Sequence, residues 1–427
     1  MIKKSAGLVI IKNEKILLIK PRGIDSDRHW SIPKGYIESA DENIIQTAIR
    51  ETYEETGTLI PFEKINVGRR SLITYLDAQN RLSKIIFYFV VEINDEEYFH
   101  YTSTIGAGLN EEVEKVEFLS YKEIREKIYY KQLSVVNFLK RDRFNLKDLQ
   151  NLLDEGYIKK TKHPKFPLWI YNYTNKTKTL RNWNYTTLNA RGLILDIEGK
   201  IIARSFEKFF EYDQLYIEIK KILPKPQQCF EKLDGALGIA YKYNNSIFIS
   251  TKSSFNHYLA ILANDILIND YNQFNIIDDQ QFLFEIISRY SFFTLINGLG
   301  KTKLFLIAPI TSKNNIEYNF ESPRAIKEQE LEKKEESEGV VLMLEDQTRI
   351  KIKTTYFKKR YDEILKLKKT LFFAEDYNYQ HNLSFGERDY MLRFQNGLFS
   401  YLYMLYTQTS AKDKLNEFIL KNYTSWF

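Results

Sequence analysis

Hydrophobic and polar positions alternate in short runs through the first third of the chain. Residues 6–20, AGLVIIKNEKILLIK, are an example of these runs, which are typical of strands. A Pro/Gly turn then leads into a charged segment with helical spacing. The pattern predicts a mixed α/β unit over residues 1–140.

The pattern changes after this unit. Residues 141–167 are charged and end in prolines, which indicates a linker helix and a domain boundary. Residues 168–355 are again rich in predicted strands, and from 356 to 427 the apolar spacing becomes helical. We therefore predict an α+β multidomain protein with a small all-helical C-terminal region. The predicted strands of the second domain lie in the segments 190–206, 246–252, 282–288, 339–344 and 349–354.

Composition limits the class of protein. The chain has 427 residues, 44% of them hydrophobic, which is enough for two or three domains with separate cores. The net charge of +6 permits a polyanionic partner without requiring one. The single cysteine, Cys229, excludes an internal disulfide framework, no apolar run is long enough for a membrane span, and the N-terminus does not resemble a signal peptide. We expect a cytoplasmic protein of a bacterial or phage-infected cell, without a membrane partner.

A row of carboxylates is the first candidate site. A helix from about Asp41 would carry Glu51, Glu54 and Glu55 on one face. These carboxylates would repel each other unless a cation neutralised them, and oxygen ligands suit Mg²⁺. The adjacent Arg50 can pair with a neighbouring acid. A solvated, charged helix face is the alternative interpretation.

Residues 35–57, GYIESADENIIQTAIRETYEETG, resemble the Nudix box. The segment departs from the box at three positions: Gly35 precedes Glu42 by one residue more than in the family, and Thr52 and Thr58 replace residues that are usually aliphatic. The residues that match the box are Glu42, Arg50, Glu51, Glu54, Glu55 and Gly57.

This resemblance covers roughly residues 1–130 and implies an α/β/α sandwich that hydrolyses nucleoside diphosphate linkages. It implies that Glu51, Glu54 and Glu55 bind Mg²⁺ or Mn²⁺, that Glu54 and Glu55 act in catalysis, and that Glu42 assists in metal binding. Residues 30–35, WSIPKG, are similar to the entry to the box in dinucleoside polyphosphate hydrolases and RNA pyrophosphohydrolases.

The second candidate site lies in CFEKLDGALGIAYKY, residues 229–243. Lys232 lies among apolar residues, and a lysine near other cations would lose part of its charge and become a nucleophile. Asp234, two residues along a strand, would share its face, and Gly235 would let the attacked group approach the backbone. For this short pattern alone, a surface turn is the alternative.

Further charged residues accompany this lysine in predicted strands. Lys351 and Lys353 lie two apart, on one strand face, where they could contact phosphate oxygens. Glu338 begins a strand, Lys252 follows one, and Glu285 lies inside an apolar strand and needs a partner. Taken singly, each residue could belong to an ion pair within a sheet.

Together these residues resemble the motifs of the covalent nucleotidyltransferase superfamily, and Arg191 with Lys208 narrows the likeness to phage-type, ATP-dependent RNA ligases that repair tRNA. The resemblance spans about residues 150–356 and implies an antiparallel-sheet domain. Its matched residues are Arg191, Lys208, Lys232, Asp234, Gly235, Lys252, Glu285, Glu338, Gly339, Lys351 and Lys353.

The resemblance implies ATP and Mg²⁺ as cofactors, and RNA 5′-phosphate and 3′-OH ends, including those of tRNA, as partners. Lys232 would form the lysyl-AMP intermediate, Lys351 and Lys353 would offset phosphate charge, and Glu338 would bind metal. Of the remaining residues, Arg191 and Glu285 would contact the ribose, Asp234 would contact the ribose or orient the amine, and Lys208 and Lys252 would contact phosphate or nearby acids.

The two motifs together suggest a bifunctional enzyme that processes and seals RNA ends. The Nudix domain would trim a 5′-triphosphate or cap, remove AMP from adenylylated RNA, or destroy diadenosine polyphosphates. Two alternatives remain open: a non-catalytic, nucleotide-sensing Nudix module, and a ligase-like domain that transfers AMP to a protein.

Overall fold

The structure is a computed structural model. The residues that it describes are 2–24, 28–102, 111–139, 142–276, 281–288, 302–309, 320–326, 337–359 and 361–362.

A six-stranded sheet forms the centre of the N-terminal region, in the order β4-β5-β1-β2-β6, with β3 paired to β1. Strands β1 and β5 are parallel, and the other recorded pairs are antiparallel. The short alternating runs in residues 6–20 lie in β1 and β2. The strands are β1 Lys3–Lys12, β2 Lys15–Pro21, β3 Lys34–Tyr36, β4 Arg70–Leu76, β5 Leu82–Glu92 and β6 Val113–Ser120.

Helical segments cover both faces of this sheet. Leu8 and Ile10 of β1 pack in the cluster that contains the apolar side of α1, whereas Val9 and Ile11 pack with residues of α3 and of the following 3-10 segment. Because β1 is buried on both faces, its sequence is a nearly continuous apolar run. The helical segments are α1 Ile44–Thr56, α2 Asp95–Tyr101, α3 Tyr121–Lys127 and the 3-10 helices Phe62–Lys64 and Tyr130–Phe138.

A second sheet follows, in the order β10-β9-β8-β7, with antiparallel pairing. The predicted linker, residues 141–167, contains the helix α4 but also the strand β7, which the sequence pattern did not predict. Leu149 and Leu152 of α4 pack against Leu193 and Leu195 of β9. The elements are α4 Leu146–Asp154, β7 Ile158–Lys162, β8 Trp169–Tyr173, α5 Asn175–Leu180, α6 Tyr185–Asn189, β9 Arg191–Leu195 and β10 Ile201–Ala203.

Two more sheets have the orders β13-β12-β14-β15 and β11-β16-β17. The strands predicted within 246–252, 282–288, 339–344 and 349–354 are confirmed as β13, β14, β16 and β17. The elements are the 3-10 helix Tyr212–Gln214, α7 Ile217–Lys220, β11 Pro226–Glu231, β12 Ala236–Tyr243, β13 Ser246–Thr251, α8 Tyr258–Asp270, β14 Phe282–Ile287, β15 Lys303–Pro309, β16 Gly339–Leu344 and β17 Arg349–Lys353.

The described residues form two compact units. The first contains the described residues within Met1–Cys229, Lys252–Phe255 and Leu342–Lys351, and the second contains those within Phe230–Thr251, Asn256–Val341 and Ile352–Phe427. The C-terminal helices predicted within residues 356–427 lie almost entirely outside the described residues. Among the residues that are described, no helix is long and apolar enough to cross a membrane.

Candidate active sites

Helix α1 carries the predicted row of carboxylates. It begins at Ile44 and not near Asp41, because the Asn43 side chain accepts hydrogen bonds from backbone N–H groups of the first turn. It ends at Gly57, which has a φ of 72° and supplies the predicted helix stop. Glu42 therefore lies outside the helix, and its side chain is exposed.

Arg50 is the main partner of the acidic row. Its Nε and one NH2 group donate to the two carboxylate oxygens of Asp41, at 3.1 Å each. Its other terminal nitrogen donates to Glu51 at 2.9 Å and to Glu54 at 3.2 Å. The hydrogen bonds that Arg50 donates to Asp41, and the nearby charge of Glu51, raise the pKa of Arg50. The sequence predicted a neighbouring acid for Arg50 but did not single out Asp41.

Glu55 is the most buried carboxylate of the row. Its Oε2 accepts a hydrogen bond from the backbone N–H of Lys34, at 2.7 Å. Burial, with smaller contributions from the charges of Glu51 and Glu112, raises the pKa of Glu55 to about 7. Burial also raises the pKa of Glu51. A carboxyl group with a pKa near neutrality can accept and return a proton at the pH of a cell.

Gly35 explains how Glu51 reaches the sheet. A Cβ atom at position 35 would lie 2.0 Å from the carboxylate of Glu51, so only glycine leaves room for this side chain against β3. The additional residue between Gly35 and Glu42 therefore leaves Gly35 in its place beside Glu51.

The chemistry of these acids suits a divalent cation, because carboxylate oxygens are hard ligands. Neighbouring carboxylates also raise each other's pKa, and a bound cation would relieve this repulsion. Their side chains, however, are directed to protein donors. In the part of the chain that the structure describes, no three His, Cys, Asp or Glu residues are grouped so that they could hold a metal ion. Arg50 bonds one oxygen of Glu51 and one of Glu54, so metal binding would use the second oxygen of each carboxylate or turn these side chains away from Arg50.

A cavity of about 270 Å³ lies in the same sandwich and was not predicted from the sequence. The rings of His29 and Tyr129 stack at its wall with centroids 6.0 Å apart. Lys34 and Lys84 supply positive charge, and burial, followed by the charge of Lys34, lowers the pKa of Lys84. Ser31 and Lys34 belong to the WSIPKG segment, but the other lining residues come from distant segments, so no single local motif indicates the cavity. Aromatic rings beside cations form a suitable site for a base attached to phosphates.

Four predicted nucleotide-binding cations lie in the first compact unit. Arg191 donates to the Ser205 hydroxyl at 3.3 Å, and its guanidinium lies 5.7 Å from the centre of the Phe209 ring. Lys208 Nζ donates to the Phe209 carbonyl at 2.9 Å. Lys351 Nζ lies 4.0 Å from Glu211. Residues 205–211 therefore supply the contacts of Arg191, Lys208 and Lys351 and hold these three cations near one another.

Two of these lysines have strongly lowered pKa values. Burial, followed by the charges of Lys351 and Arg191, lowers the pKa of Lys208 to about 7. Burial, followed by the charge of Arg191, lowers the pKa of Lys252 to about 8. Positive charges held this close together favour the binding of an anion, because the anion reduces their mutual repulsion.

The other predicted residues lie in the second unit, where Glu338 joins two lysines. Lys232 Nζ lies 2.7 Å from one carboxylate oxygen of Glu338, and Lys353 Nζ lies 3.3 Å from the other. Glu285, on β14, and the buried Asp234 add negative charge near Lys232.

Two sequence expectations about Lys232 are wrong. Burial acts to lower its pKa, but the charges of Glu338, Glu285 and Asp234 outweigh it and raise the pKa above the ordinary value. The sequence predicted a lowered pKa because it shows the apolar neighbours of Lys232 and other cations. It does not show the acids that folding brings close to this lysine. Lys232 and Asp234 also lie in the connection between β11 and β12, so they do not share a strand face.

Gly235 has a structural explanation that the sequence did not provide. A Cβ atom there would lie 2.7 Å from the Ile286 carbonyl oxygen and 2.9 Å from Glu285 Cγ. The neighbouring strand β14, and not a ligand, therefore approaches the bare backbone. The close approach places the connection that carries Lys232 beside Glu285.

The sandwich and acidic helix define a Nudix hydrolase domain, and residues 1–137 match the NUDIX domain. The mouse asymmetrical bis(5′-nucleosyl)-tetraphosphatase is 31% identical over 103 residues, which cover 22% of this chain and 68% of the relative. The chain belongs to the Nudix family.

Two solved structures are similar to this chain over about a third of its length. A Caenorhabditis elegans Ap4A hydrolase in a binary complex is 22% identical, with 36% of this chain and 99% of that chain covered and a TM-score of 0.25. A NUDIX hydrolase from Nitrosomonas europaea is 20% identical, with coverages of 35% and 90% and a TM-score of 0.26.

Proposed function

We propose that the protein is a bifunctional enzyme in which a Nudix pyrophosphohydrolase prepares or corrects RNA 5′ ends and an ATP-dependent RNA ligase seals them. Dinucleoside polyphosphates are a further substrate class for the Nudix site, as the name of the mouse relative suggests. The observation that carries the hydrolase half is Glu55, a buried carboxyl group with a pKa of about 7, beside Glu51 on the acidic helix.

The Nudix residues have separate tasks in this proposal. Glu51, Glu54 and Glu55 would hold Mg²⁺ or Mn²⁺, with Glu42 assisting, and a bound cation supplies an acidic water and neutralises phosphate charge. Glu55 holds or releases a proton, and Arg50 orients Glu51 and Glu54. The cavity lined by His29 and Tyr129 binds a base of the substrate by stacking.

The ligase half rests on the junction of Lys232, Lys353 and Glu338, together with the group of cations in the first unit. The amine of Lys232 would attack the α-phosphate of ATP, breaking the bond to the leaving pyrophosphate and forming lysyl-AMP. The AMP then passes to an RNA 5′-phosphate, and the RNA 3′-OH displaces it. Lys351 and Lys353 oppose the negative charge on the phosphates.

The raised pKa of Lys232 adds a requirement to the first step. Its ammonium group must lose a proton before it can attack, and Glu338 stabilises the charged form. Glu338 is also the predicted metal ligand. Drawing Glu338 away from the amine would therefore lower the proton affinity of Lys232 and activate it.

A nucleotide-sensing Nudix module without turnover is the second candidate function. It is favoured by the hydrogen bonds of Arg50 to Glu51 and Glu54, which occupy two predicted metal ligands. In this case the domain would bind a nucleotide and regulate the ligase without cleaving the nucleotide.

One experiment separates these functions. Wild-type protein and Glu55→Gln receive RNAs with a 5′-monophosphate, a 5′-triphosphate or an adenylate cap, with ATP and Mg²⁺, and sealed product is measured. The exposed Glu96→Gln variant is the control. We expect all proteins to seal the monophosphate and only the wild type and control to process the other ends. Failure of the wild type to process these ends or dinucleoside polyphosphates would support the sensing module. Equal processing by wild type and Glu55→Gln would show that Glu55 is not catalytic.

A further inference from the structure

A row of polar side chains crosses the second sheet from its edge strand to the predicted nucleotide-binding residues. Lys159 of β7 pairs with Asn172 of β8, and Asn172 pairs with Arg191 of β9. Residues that are direct cross-strand partners project from the same face of a sheet. Lys159 and Asn172 thus share a face. The pairing of β8 with β9 shifts register at Asn172, which places Arg191 opposite it, two strand spacings or about 10 Å from Lys159.

Asn172 connects this row to a further lysine. Its Nδ2 donates to the backbone carbonyl of Lys252, and its Oδ1 accepts from the Gly192 N–H at 3.1 Å. The amide is buried and both ends are used, so Asn172 fixes the backbone of Lys252 beside the row. We call Lys159, Lys178, Arg191 and Lys252 the basic row, with Lys178 contributed by α5.

The charges of the basic row act on one another. Arg191, Lys178 and Lys159 all lower the pKa of Lys252, after the larger effect of burial. Within the described ranges, the ammonium groups of Lys159, Lys178 and Lys252 form no ion pair with a carboxylate. Uncompensated, mutually repelling cations indicate an anionic ligand.

The arrangement favours a polyanion over a single phosphate. Arg191 is partly buried, whereas Lys159, Lys178 and Lys252 are exposed. An anion bound only at Arg191 would leave these three lysines without a partner. A chain of phosphates that continues across the exposed lysines would satisfy all four cations, as in other single-strand binding grooves.

We propose that the basic row binds the phosphodiester backbone of the RNA strand that enters the ligase site. This inference rests on the proposed ligase function. Lys159 and Lys178 are phosphate-binding residues for the RNA, whereas Arg191 and Lys252 lie where the strand meets the nucleotide. Lys159 and Lys178 therefore act in the steps that use RNA and not in the reaction of Lys232 with ATP.

The chain offers a matched control. Lys160 follows Lys159 on the same strand and is also exposed, but it projects from the opposite face because side chains alternate along a strand. Removing Lys160 takes away the same charge from the same strand without touching the row.

The test compares full-length Lys159→Ala/Lys178→Ala with Lys160→Ala and wild type. Binding of a fluorescent, 5′-phosphorylated single-stranded RNA is measured by anisotropy at several salt concentrations, and AMP-labelling of the protein is measured without RNA. We expect the double variant to bind RNA about tenfold more weakly and its log–log salt slope to fall by about 1.4, since each phosphate contact in a single strand contributes about 0.7. Its AMP-labelling should match wild type.

Three outcomes would overturn the inference: unchanged RNA binding in the double variant, an equal loss in Lys160→Ala, or no RNA binding by the wild type. A wild-type protein that binds RNA through the basic row but never becomes labelled with AMP would instead refute the proposed ligase chemistry. The RNA-binding measurement therefore tests the basic row, the labelling measurement tests the ligase chemistry, and either hypothesis can be refuted without the other.

Discussion

Lys232 Nζ lies 2.7 Å from Oε2 of Glu338, and the other oxygen of this carboxylate lies 3.3 Å from Lys353 Nζ. One buried acid thus fixes the proposed nucleophile and a second lysine that would oppose phosphate charge. A buried acid with two cationic partners is satisfied, whereas one without partners would be costly. This junction is the feature of the second unit that most directly supports chemistry at Lys232.

The first prediction concerns this nucleophile. Lys232→Ala is expected to abolish labelling of the protein by AMP from radioactive ATP, because the alanine has no amine to form the phosphoramidate bond. Lys353 remains near Glu338 in this variant, so the acid keeps one cation. Dinucleoside polyphosphate hydrolysis, measured on the same preparation, should remain and serves as the control for folding. A labelled band in Lys232→Ala would disprove the assignment.

The second prediction concerns the cavity of the Nudix domain. Tyr129→Ala should raise the KM for a dinucleoside polyphosphate about tenfold, or about 1.4 kcal/mol, because one stacking ring is lost. The kcat should change little, since Glu51, Glu54 and Glu55 are untouched. Steady-state kinetics checks both values.

Tyr130→Ala is the matched control for this variant. Tyr130 is the next residue, is exposed, and does not line the cavity. Equal effects of the two substitutions on KM would show that the cavity does not hold the base.

The third prediction is a pH dependence of ATP binding. The pKa of Lys208 is lowered to about 7, so its amine is largely charged below pH 6 and largely neutral above pH 8. A phosphate of ATP favours the ammonium form of Lys208. Above pH 7, where this amine is mostly neutral, ATP binding therefore requires the amine to take up a proton. Affinity should therefore fall as pH rises above 7, by at most about tenfold per pH unit for this single group.

Calorimetry in the non-reacting Lys232→Ala background, between pH 6 and 9, measures this dependence. Lys208→Arg keeps its charge throughout that range and should remove the part of the decline that begins near pH 7. An unchanged profile in Lys208→Arg would show that Lys208 does not contact phosphate.

The fourth prediction concerns stability at Gly235. Gly235→Ala should lower the free energy of unfolding by about 1–3 kcal/mol, because its Cβ would press on the backbone carbonyl of Ile286 at 2.7 Å. Gly238→Ala should cost less, since its Cβ would meet only side-chain carbons of Ile286 and Ile249 at 3.1 and 3.2 Å. Denaturant unfolding of both variants checks the order, and a larger effect at Gly238 would contradict it.

The sequence by itself determined the local features of this protein. The continuous apolar run of β1 predicted a strand, and the spacing of Glu51, Glu54 and Glu55 predicted one helix face, because side-chain direction follows from the backbone repeat. Gly57 marked the helix end through its positive φ. The motif also identified the Nudix family. These features depend on residues within a few positions of one another.

Only the tertiary structure decided the environment of each charged side chain. Lys232 gained Glu338 and a raised pKa, although 106 residues separate the pair in sequence. The lowered pKa values belong instead to Lys208 and Lys252, where burial and distant cations combine. Burial and electrostatic energy depend on distance in space, which the order of residues along the chain does not specify.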